Sequence, residues 1–270
     1  MKLSIIIVSY NTRTILEKCL QSVFREGSSI DNSLEVIVVD NASSDGSPKM
    51  IEEKFPKVKL TVNKENLGFS KAVNQGLRQA KGENILLLNS DTYLSKDSLK
   101  KLLSFEKKVD PVVIGTRLLN PDGTIQPSVF KLPTIKRAVL EYWLGKKGYF
   151  SKYAPEGENP QEVEAVVGGV MLISRKILDK VGMLDERYFM YFEDLDFCRR
   201  VRKAGFKIYY LPEVGIIHEH GASGKSLASS ENQWKRLIPS SKIYHGKLKY
   251  YLISLVIWLG LKKEKLFTNS

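Results

Sequence analysis

A parallel, doubly wound α/β sheet is the fold class that this chain of 270 residues predicts. Three observations point to it. Apolar runs of strand length alternate with amphipathic stretches of helical spacing through the first ninety residues. The strand-like runs carry no polar face, as strands covered by helices on both sides should read. Three of them finish in hydrogen-bonding side chains, at the sheet edge where ligands of such folds bind.

Leu3 to Ser9 is rich in β-branched residues and predicts the first strand. Ile15, Leu16, Cys19, Leu20, Val23 and Phe24 recur at helical spacing, so Thr12 to Phe24 predicts a helix. Leu34 to Asp40 reads as a second buried strand, followed by a short helix through Met50, Ile51 and Phe55. Val58 to Val62 is a third strand. Phe69 to Ala80 is a helix with Ala72, Val73, Leu77 and Ala80 inward, ending near Gly82. Glu83 to Leu88 is the fourth strand. Strict alternation of this kind implies parallel pairing.

Beyond Asp91 the pattern changes. Ser95 to Phe105 predicts a helix, Val112 to Gly115 a strand, and Asn120-Pro121-Asp122-Gly123 a turn. Val163 to Ser174 reads as a strand interrupted at Gly168-Gly169, where backbone bulges or approaches something closely. Glu193-Asp194 opens a helix with Phe197, Cys198, Val201 and Ala204 on one face and Gly205 as its stop. Lys207 to Leu211 and Gly215 to His218 are two further short strands.

Composition is that of a globular protein, 43% apolar and 27% charged. Cys19 and Cys198 have no metal-type spacing and read as small core residues in a reducing compartment. Met1 to Ser4 runs straight into the first strand, so no cleavable signal peptide is expected. The net charge of +12 is unevenly spread. Lys131 to Lys152 carries six basic residues against Glu141, and Lys225 to Ser270 nine against Glu231 and Glu264. Both interleave charge with large apolar residues, a pattern suited to an anionic membrane surface. The run Tyr250 to Leu261 has twelve residues, short of the roughly 20 needed to span a bilayer. A terminal helix packed on the core with solvated lysines is the structural alternative. Nucleic acid is not expected, since no recognition motif accompanies the charge.

The strand ends offer Ser9-Tyr10-Asn11, Asp40-Asn41 and Asn89-Ser90-Asp91. A carboxylate such as Asp91 suits a hard divalent cation, which commonly shares one or two carboxylates with phosphate oxygens. Asp40 suits a base imide or a ribose; capping the following helix is its structural alternative. Asp194 follows a segment, Tyr188 to Phe192, with four aromatics in five residues. Desolvation there raises a carboxyl pKa, while a helix N-terminus lowers it. Placed near a hydroxyl, such a group is a general base. Glu193 is read as an acceptor contact or a helix cap. His218 and His220 follow the last strand and are candidates for a further cation ligand.

In this order, the segments resemble the family 2 glycosyltransferases with a GT-A fold, particularly their rhamnosyltransferase-like branch. The stretches that carry the resemblance are Ser4 to Asn11, Val38 to Ser47, Asn66 to Phe69, Leu87 to Asp91, Gly168 to Ile173, Val181 to Glu186, Tyr191 to Asp196 and His218 to Ser223. The resemblance implies inverting transfer of a sugar from a dTDP- or UDP-linked donor to a glycan or lipid-linked acceptor, within cell wall or polysaccharide biosynthesis. It implies Asp194 as general base and Asp91 with His218 on Mg2+ or Mn2+. Ser9, Tyr10, Asn11, Asp40, Asn66, Gly68, Lys71, Asn89, Ser90, Gly169 and Glu193 are implied as substrate contacts. Asn89 stands where many relatives have Asp, leaving one carboxylate on the cation.

The expected organisation is a catalytic domain over 1–224, with a nucleotide-binding half (1–115) and a smaller, mixed acceptor-side half (116–224). Residues 225–270 are expected as a basic, apolar, helical extension, and the location as cytoplasmic, peripheral on the inner membrane face. A dinucleotide oxidoreductase is disfavoured because no G-x-G-x-x-G follows the first strand. A P-loop nucleoside triphosphatase is excluded by the lack of G-x-x-x-x-G-K-[ST]. A glycoside hydrolase would also use two carboxylates, but needs no nucleotide crevice. A non-catalytic nucleotide-sugar-binding or assembly protein of the same fold is the remaining alternative.

Overall fold

The computed structural model describes residues 2–28, 33–219 and 233–268. Strands β1 (Leu3–Ser9), β2 (Leu34–Asp40), β3 (Lys59–Val62) and β4 (Asn84–Asn89) alternate with helices α1 (Arg13–Gly27), α2 (Ser47–Lys54) and α3 (Phe69–Gln79). The strands are parallel and lie in the order β3-β2-β1-β4. Both faces are covered, as the apolar runs predict. Ile6, Ile37, Val39 and Leu87 pack with Ala72, Val73 and Leu77 of α3. Their strand neighbours Ile5, Ile7, Val36 and Val38 pack on the other face with Leu16 and Leu20 of α1. Successive strand residues point to opposite sides, so burial on both sides leaves no polar alternation in the sequence.

The sheet continues through β5 (Thr92–Leu94), β6 (Val112–Leu119), β11 (Val170–Ser174) and β12 (Lys207–His218), in the order β4-β11-β6-β12-β5. Helix α4 (Ser98–Val109) precedes β6. β11 runs antiparallel to both β4 and β6, so the sheet is mixed at its centre. β7 (Ile125–Gln126) pairs with β6, and β9 (Gln161–Glu162) with β12. β8 (Val129–Phe130) and β10 (Ala165–Val166) form a separate pair.

Two expectations change. Val163 to Ser174 is not one interrupted strand: β10 and β11 belong to different sheets, and Gly168-Gly169 is the turn between them. Lys207 to His218 is one strand rather than two, with a register shift between Leu211 and Gly215. Pro212 lies in that shift, where its missing N–H costs no ladder bond. α5 (Ile135–Tyr142) and α6 (Arg175–Val181) lie outside the predicted elements.

α7 (Glu193–Lys203) starts where the sequence places it. Beyond it, α8 (Gln233–His245) sets Tyr244 into the core beside Phe197 and Cys198. α9 (Lys247–Thr268) lies along α5. The two basic, apolar stretches of the sequence therefore meet: Trp143 Nε1 donates to the Val256 carbonyl at 3.0 Å. Gly260 permits the approach, since a Cβ there would come within 2.6 Å of the Tyr142 carbonyl oxygen.

Candidate active site

The parallel register aligns Ser9 with Asp40 and Val8 with Asn89, so β2, β1 and β4 finish side by side. Asp40 is fully buried. It accepts from the Ser43 N–H at 2.8 Å and the Ser43 hydroxyl at 2.6 Å. Burial nevertheless raises its carboxyl above the ordinary value, the Ser43 bonds opposing. Asp40 does not cap α2, whose first residue is Ser47 and whose cap position is Gly46.

Asn11 takes positive φ (51°) and locks two loops together. Its Oδ1 accepts the Ser44 N–H and its own N–H donates to Ser43 Oγ, both at 2.8 Å. Asp45 receives the Arg13 N–H at 2.7 Å, satisfying a free donor at the start of α1. Ser9, Thr12 and Ser90 form a buried hydroxyl chain with contacts of 3.2 and 3.1 Å. Tyr10 is half-buried at the same turn.

Asn66 Oδ1 accepts the Gly68 N–H at 3.0 Å, and the Gly68 carbonyl accepts from Asn41 Nδ2 at 3.1 Å. Gly68 has φ 84°, and a Cβ on it would lie 2.6 Å from the Phe189 carbonyl oxygen. That same oxygen accepts the Phe69 N–H at 2.7 Å. The start of α3 is thus fastened to the aromatic segment before α7. Lys71 is exposed on the first turn of α3, its charge bearing on Glu186.

Asp91 is 2% exposed, and its Oδ1 lies 3.3 Å from His218 Nε2. β12 brings them together by pairing antiparallel with β5, so that His218 faces Thr92. Gln126 fixes the imidazole. Its Nε2 donates to the His218 carbonyl at 2.7 Å and to Asn120 Oδ1 at 2.6 Å. Its Oε1 must therefore accept, which puts a proton on His218 Nδ1, 3.0 Å away. In the neutral ring the Nε2 lone pair is then left on the Asp91 side. A buried carboxylate oxygen converging with an imidazole nitrogen is a donor pair suited to a divalent cation such as Mn2+. Among the described residues no group of three or more His, Cys, Asp or Glu side chains forms a metal cluster. An ion held by Asp91 and His218 would need phosphate oxygens and water to complete its shell. His220 lies outside the described residues.

The second acid is reached through the glycine turn. Asn89 N–H donates to the Gly169 carbonyl at 2.8 Å, and Gly168 N–H donates to Asp194 Oδ2 at 3.1 Å. Asn89, at the end of β4, and Asp194 thus flank one junction. Asp194 Oδ1 accepts the Leu195 N–H at 2.8 Å. Burial raises the Asp194 carboxyl, opposed by the N–H groups of Gly168 and Leu195 and by the charge of Lys152. Glu193 is 6% exposed, and its Oε2 has no hydrogen-bond partner. Burial first, and the neighbouring Asp194 second, hold its carboxyl well above the ordinary value.

Tyr191 and Phe192, just before α7, both have φ 68°, a strained conformation for aromatic residues. α8 braces them. Ser240 Oγ donates to the Met190 carbonyl at 2.7 Å, and Phe192 packs on Tyr244 with ring centres 5.3 Å apart. Gln126, Thr12 and Gly168 are site elements absent from the residues expected of the sequence. Only Gly168 carried a signal, as half of the Gly-Gly pair.

The family model described as glycosyl transferase family 2 matches residues 4–182. The N-acetylglucosaminyl-diphospho-decaprenol L-rhamnosyltransferase of Mycobacterium tuberculosis is 29% identical over 246 residues, covering 84% of this chain and 79% of that protein. The dTDP-rhamnosyl transferase RfbF of Shigella flexneri is 24% identical, covering 80% of this chain and 68% of that protein. Among solved structures, S. aureus TarS 1-349 in complex with UDP-GlcNAc matches with TM-score 0.59 and 20% identity, over 97% of this chain and 72% of that one. GalNAc-T7 with UDP, GalNAc and Mn2+ matches with TM-score 0.63 and 16% identity, over 81% and 44%. At such identities the structural matches speak for the fold, which is GT-A-like.

Proposed function

The chain belongs to glycosyl transferase family 2 and is a glycosyltransferase, and from that premise we propose an inverting transfer of rhamnose from dTDP-rhamnose to a lipid-linked glycan. The rhamnosyl donor and the diphospho-lipid acceptor are drawn from the names of the relatives. The observation that carries the mechanism is the glycine turn, whose two peptide groups bond to Asn89 and to Asp194.

In this reading the donor's nucleotide lies along Ser9 to Asn11, Asp40 and the Asn66–Gly68 loop, with its diphosphate toward Asp91 and His218. A divalent cation held by Asp91 and His218 would supply charge neutralisation for the departing diphosphate. Asp194 accepts the proton of the acceptor hydroxyl as that oxygen attacks the anomeric carbon. The nucleoside diphosphate leaves from the opposite side, so configuration inverts in one displacement. Two N–H donors fix the Asp194 carboxylate, so its orientation is set before the acceptor arrives. Burial makes it a stronger base than an exposed aspartate. Glu193, buried next to it in sequence, is assigned in this reading to acceptor contact.

Peripheral membrane attachment forms part of the proposal. Leu248, Tyr251, Leu255 and Trp258 are exposed on α9, and Trp143 and Leu144 at the end of α5. Lys262 stacks over the Trp258 ring at 4.0 Å. Among the described residues no helix is long and apolar enough to cross a membrane. An apolar ridge flanked by lysines suits the interface of an anionic bilayer. Deleting residues from Lys242 onward, or Leu255→Glu with Trp258→Glu, should release the protein from phosphatidylglycerol vesicles; undiminished binding would refute attachment through α9.

A panel of dTDP- and UDP-sugars, with and without Mn2+, tests the reaction. Donor hydrolysis and thermal stabilisation should be strongest with dTDP-rhamnose and Mn2+. Stabilisation by no nucleotide sugar would sink the reading.

A further inference from the structure

The proposed base, Asp194, sits directly behind a strained turn. Tyr191 and Phe192 both have φ 68°, and α7 departs from Phe192 with Asp194 in its first turn. Two consecutive aromatic residues in the left-handed region persist only where their surroundings enforce it. Here α8 supplies the enforcement. Ser240, 2% exposed, holds the Met190 carbonyl by its hydroxyl at 2.7 Å. The Phe192 ring packs on Tyr244 and His245, with ring centres 5.3 and 5.9 Å away. Arg199 of α7 closes the contact from the other side. Its guanidinium carbon lies 4.2 Å from the Tyr244 ring centre, and its Nη1 donates to the Tyr244 carbonyl at 3.4 Å.

α8 is in turn tied to α9. The chain bends between them at Gly246, which has φ 77°. Across that bend the Lys242 ammonium lies 5.2 and 5.4 Å from the Tyr250 and Tyr251 ring centres. α9 is seated on α5 by the Trp143–Val256 hydrogen bond and the close approach at Gly260. Seating brings the exposed Leu255 and Trp258 of α9 beside the exposed Trp143 and Leu144 at the end of α5. Lysines fringe this composite face: Lys262 lies over Trp258, and Lys263 lies 5.7 Å from the Trp143 ring centre. The face is complete only while α9 rests on α5.

We propose that an anionic bilayer switches the enzyme on by holding α9 on α5, so that α8, joined to α9 at Gly246, locks the Tyr191–Phe192 turn that aims Asp194. The inference rests on the glycosyltransferase reading and its membrane attachment, and adds regulation of the site by the surface the enzyme sits on. A ligand shifts a conformational equilibrium only by binding one state better than the other. The bilayer meets that condition, since a detached α9 would present Leu255 and Trp258 without Trp143 and Leu144. Orientation of a base is expressed in the chemical step rather than in donor binding, so the effect falls on kcat.

Hydrogen exchange and donor hydrolysis by the full chain test the coupling, with phosphatidylglycerol vesicles, neutral phosphatidylcholine vesicles or none. Phosphatidylglycerol vesicles should slow amide exchange across residues 188–195 about fivefold or more, the low end of coupling between sites. They should also raise kcat for dTDP-rhamnose hydrolysis, with water in place of the acceptor hydroxyl, while KM holds. Phosphatidylcholine vesicles should do neither. Inserting Gly-Ser-Gly between Gly246 and Lys247 should leave vesicle binding intact and abolish both responses. Lys242→Ala, a milder break of the same joint, should weaken both and decides the matter if the insertion unfolds α8. Bound vesicles that change neither exchange nor kcat would overturn the proposal and leave attachment standing, as would full responses in both variants. Failure to bind vesicles would remove the attachment and this inference together. Slowed exchange with no hydrolysis of any nucleotide sugar would uphold the mechanical link and sink the glycosyltransferase reading.

Discussion

Gly168 donates its backbone N–H to the Asp194 carboxylate at 3.1 Å. The next peptide carbonyl, of Gly169, receives the N–H of Asn89 at 2.8 Å. One turn therefore touches the strand that ends near Asp91 and the first turn of the helix that carries Asp194. Side chains have little room there: a Cβ on Gly169 would lie 3.1 Å from Asn89 Nδ2.

Asp194→Asn should lower transfer by roughly 10²–10⁴-fold, the usual contribution of a positioned base. Thermal stabilisation by dTDP or UDP with Mn2+ should persist, because Asp194 is not among the proposed nucleotide contacts. Loss of both together would indicate a structural role for Asp194.

The pH dependence follows from burial of Glu193 and Asp194. A carboxyl whose folded pKa is raised holds its proton more tightly folded than unfolded. Its contribution is therefore most favourable below the ordinary carboxylate range, and declines as pH rises through the raised folded value. Glu193→Gln removes one such group, so its melting temperature should gain on the parent at pH 8 and not at pH 4. A difference constant across that range would contradict a buried, titrating Glu193.

Gln126→Leu should leave His218 in place by the β12–β5 pairing but free its ring to turn. The Mn2+ concentration giving half-maximal stabilisation in the presence of UDP should rise several-fold. An unchanged midpoint would mean that the Gln126 contact does not orient the ring.

Gly68→Ala should destabilise by about 1–3 kcal/mol, since positive φ and the Phe189 carbonyl both oppose a side chain. Chemical denaturation measures it. Gly123→Ala, with the same φ of 84° and no heavy atom within 4 Å of the added Cβ, separates the conformational cost from the clash.

Ser240→Ala and Tyr244→Ala remove supports of the strained Tyr191–Phe192 turn. Each should reduce kcat more than donor affinity. A change in stability alone, with kcat intact, would mean that the turn holds without α8.

Much of this architecture is legible in the residues themselves. Leu3 to Ser9 and Leu34 to Asp40 read as buried strands because burial on both faces leaves only apolar side chains. Glu193 is identified as a helix start by the apolar spacing that follows it. Lys207 to His218 was less readable, since Pro212 and Gly215 look like a break when they make only a register shift. Val163 to Ser174 failed in the opposite sense: an apolar run does not record that its two ends join different sheets.

The alternation of strand and helix, the polar finish of β1, β2 and β4, and the aromatic setting of Asp194 are all written in the order of the residues. These follow from local periodicity and side-chain chemistry, which adjacent residues carry. That β11 runs against its neighbours, that Gln126 turns His218 toward Asp91, and that α9 meets α5 through Gly260 became visible once the chain was folded. Strand direction and distant contacts depend on which buried surfaces fit one another across the whole chain, and a linear pattern reads the same for either direction.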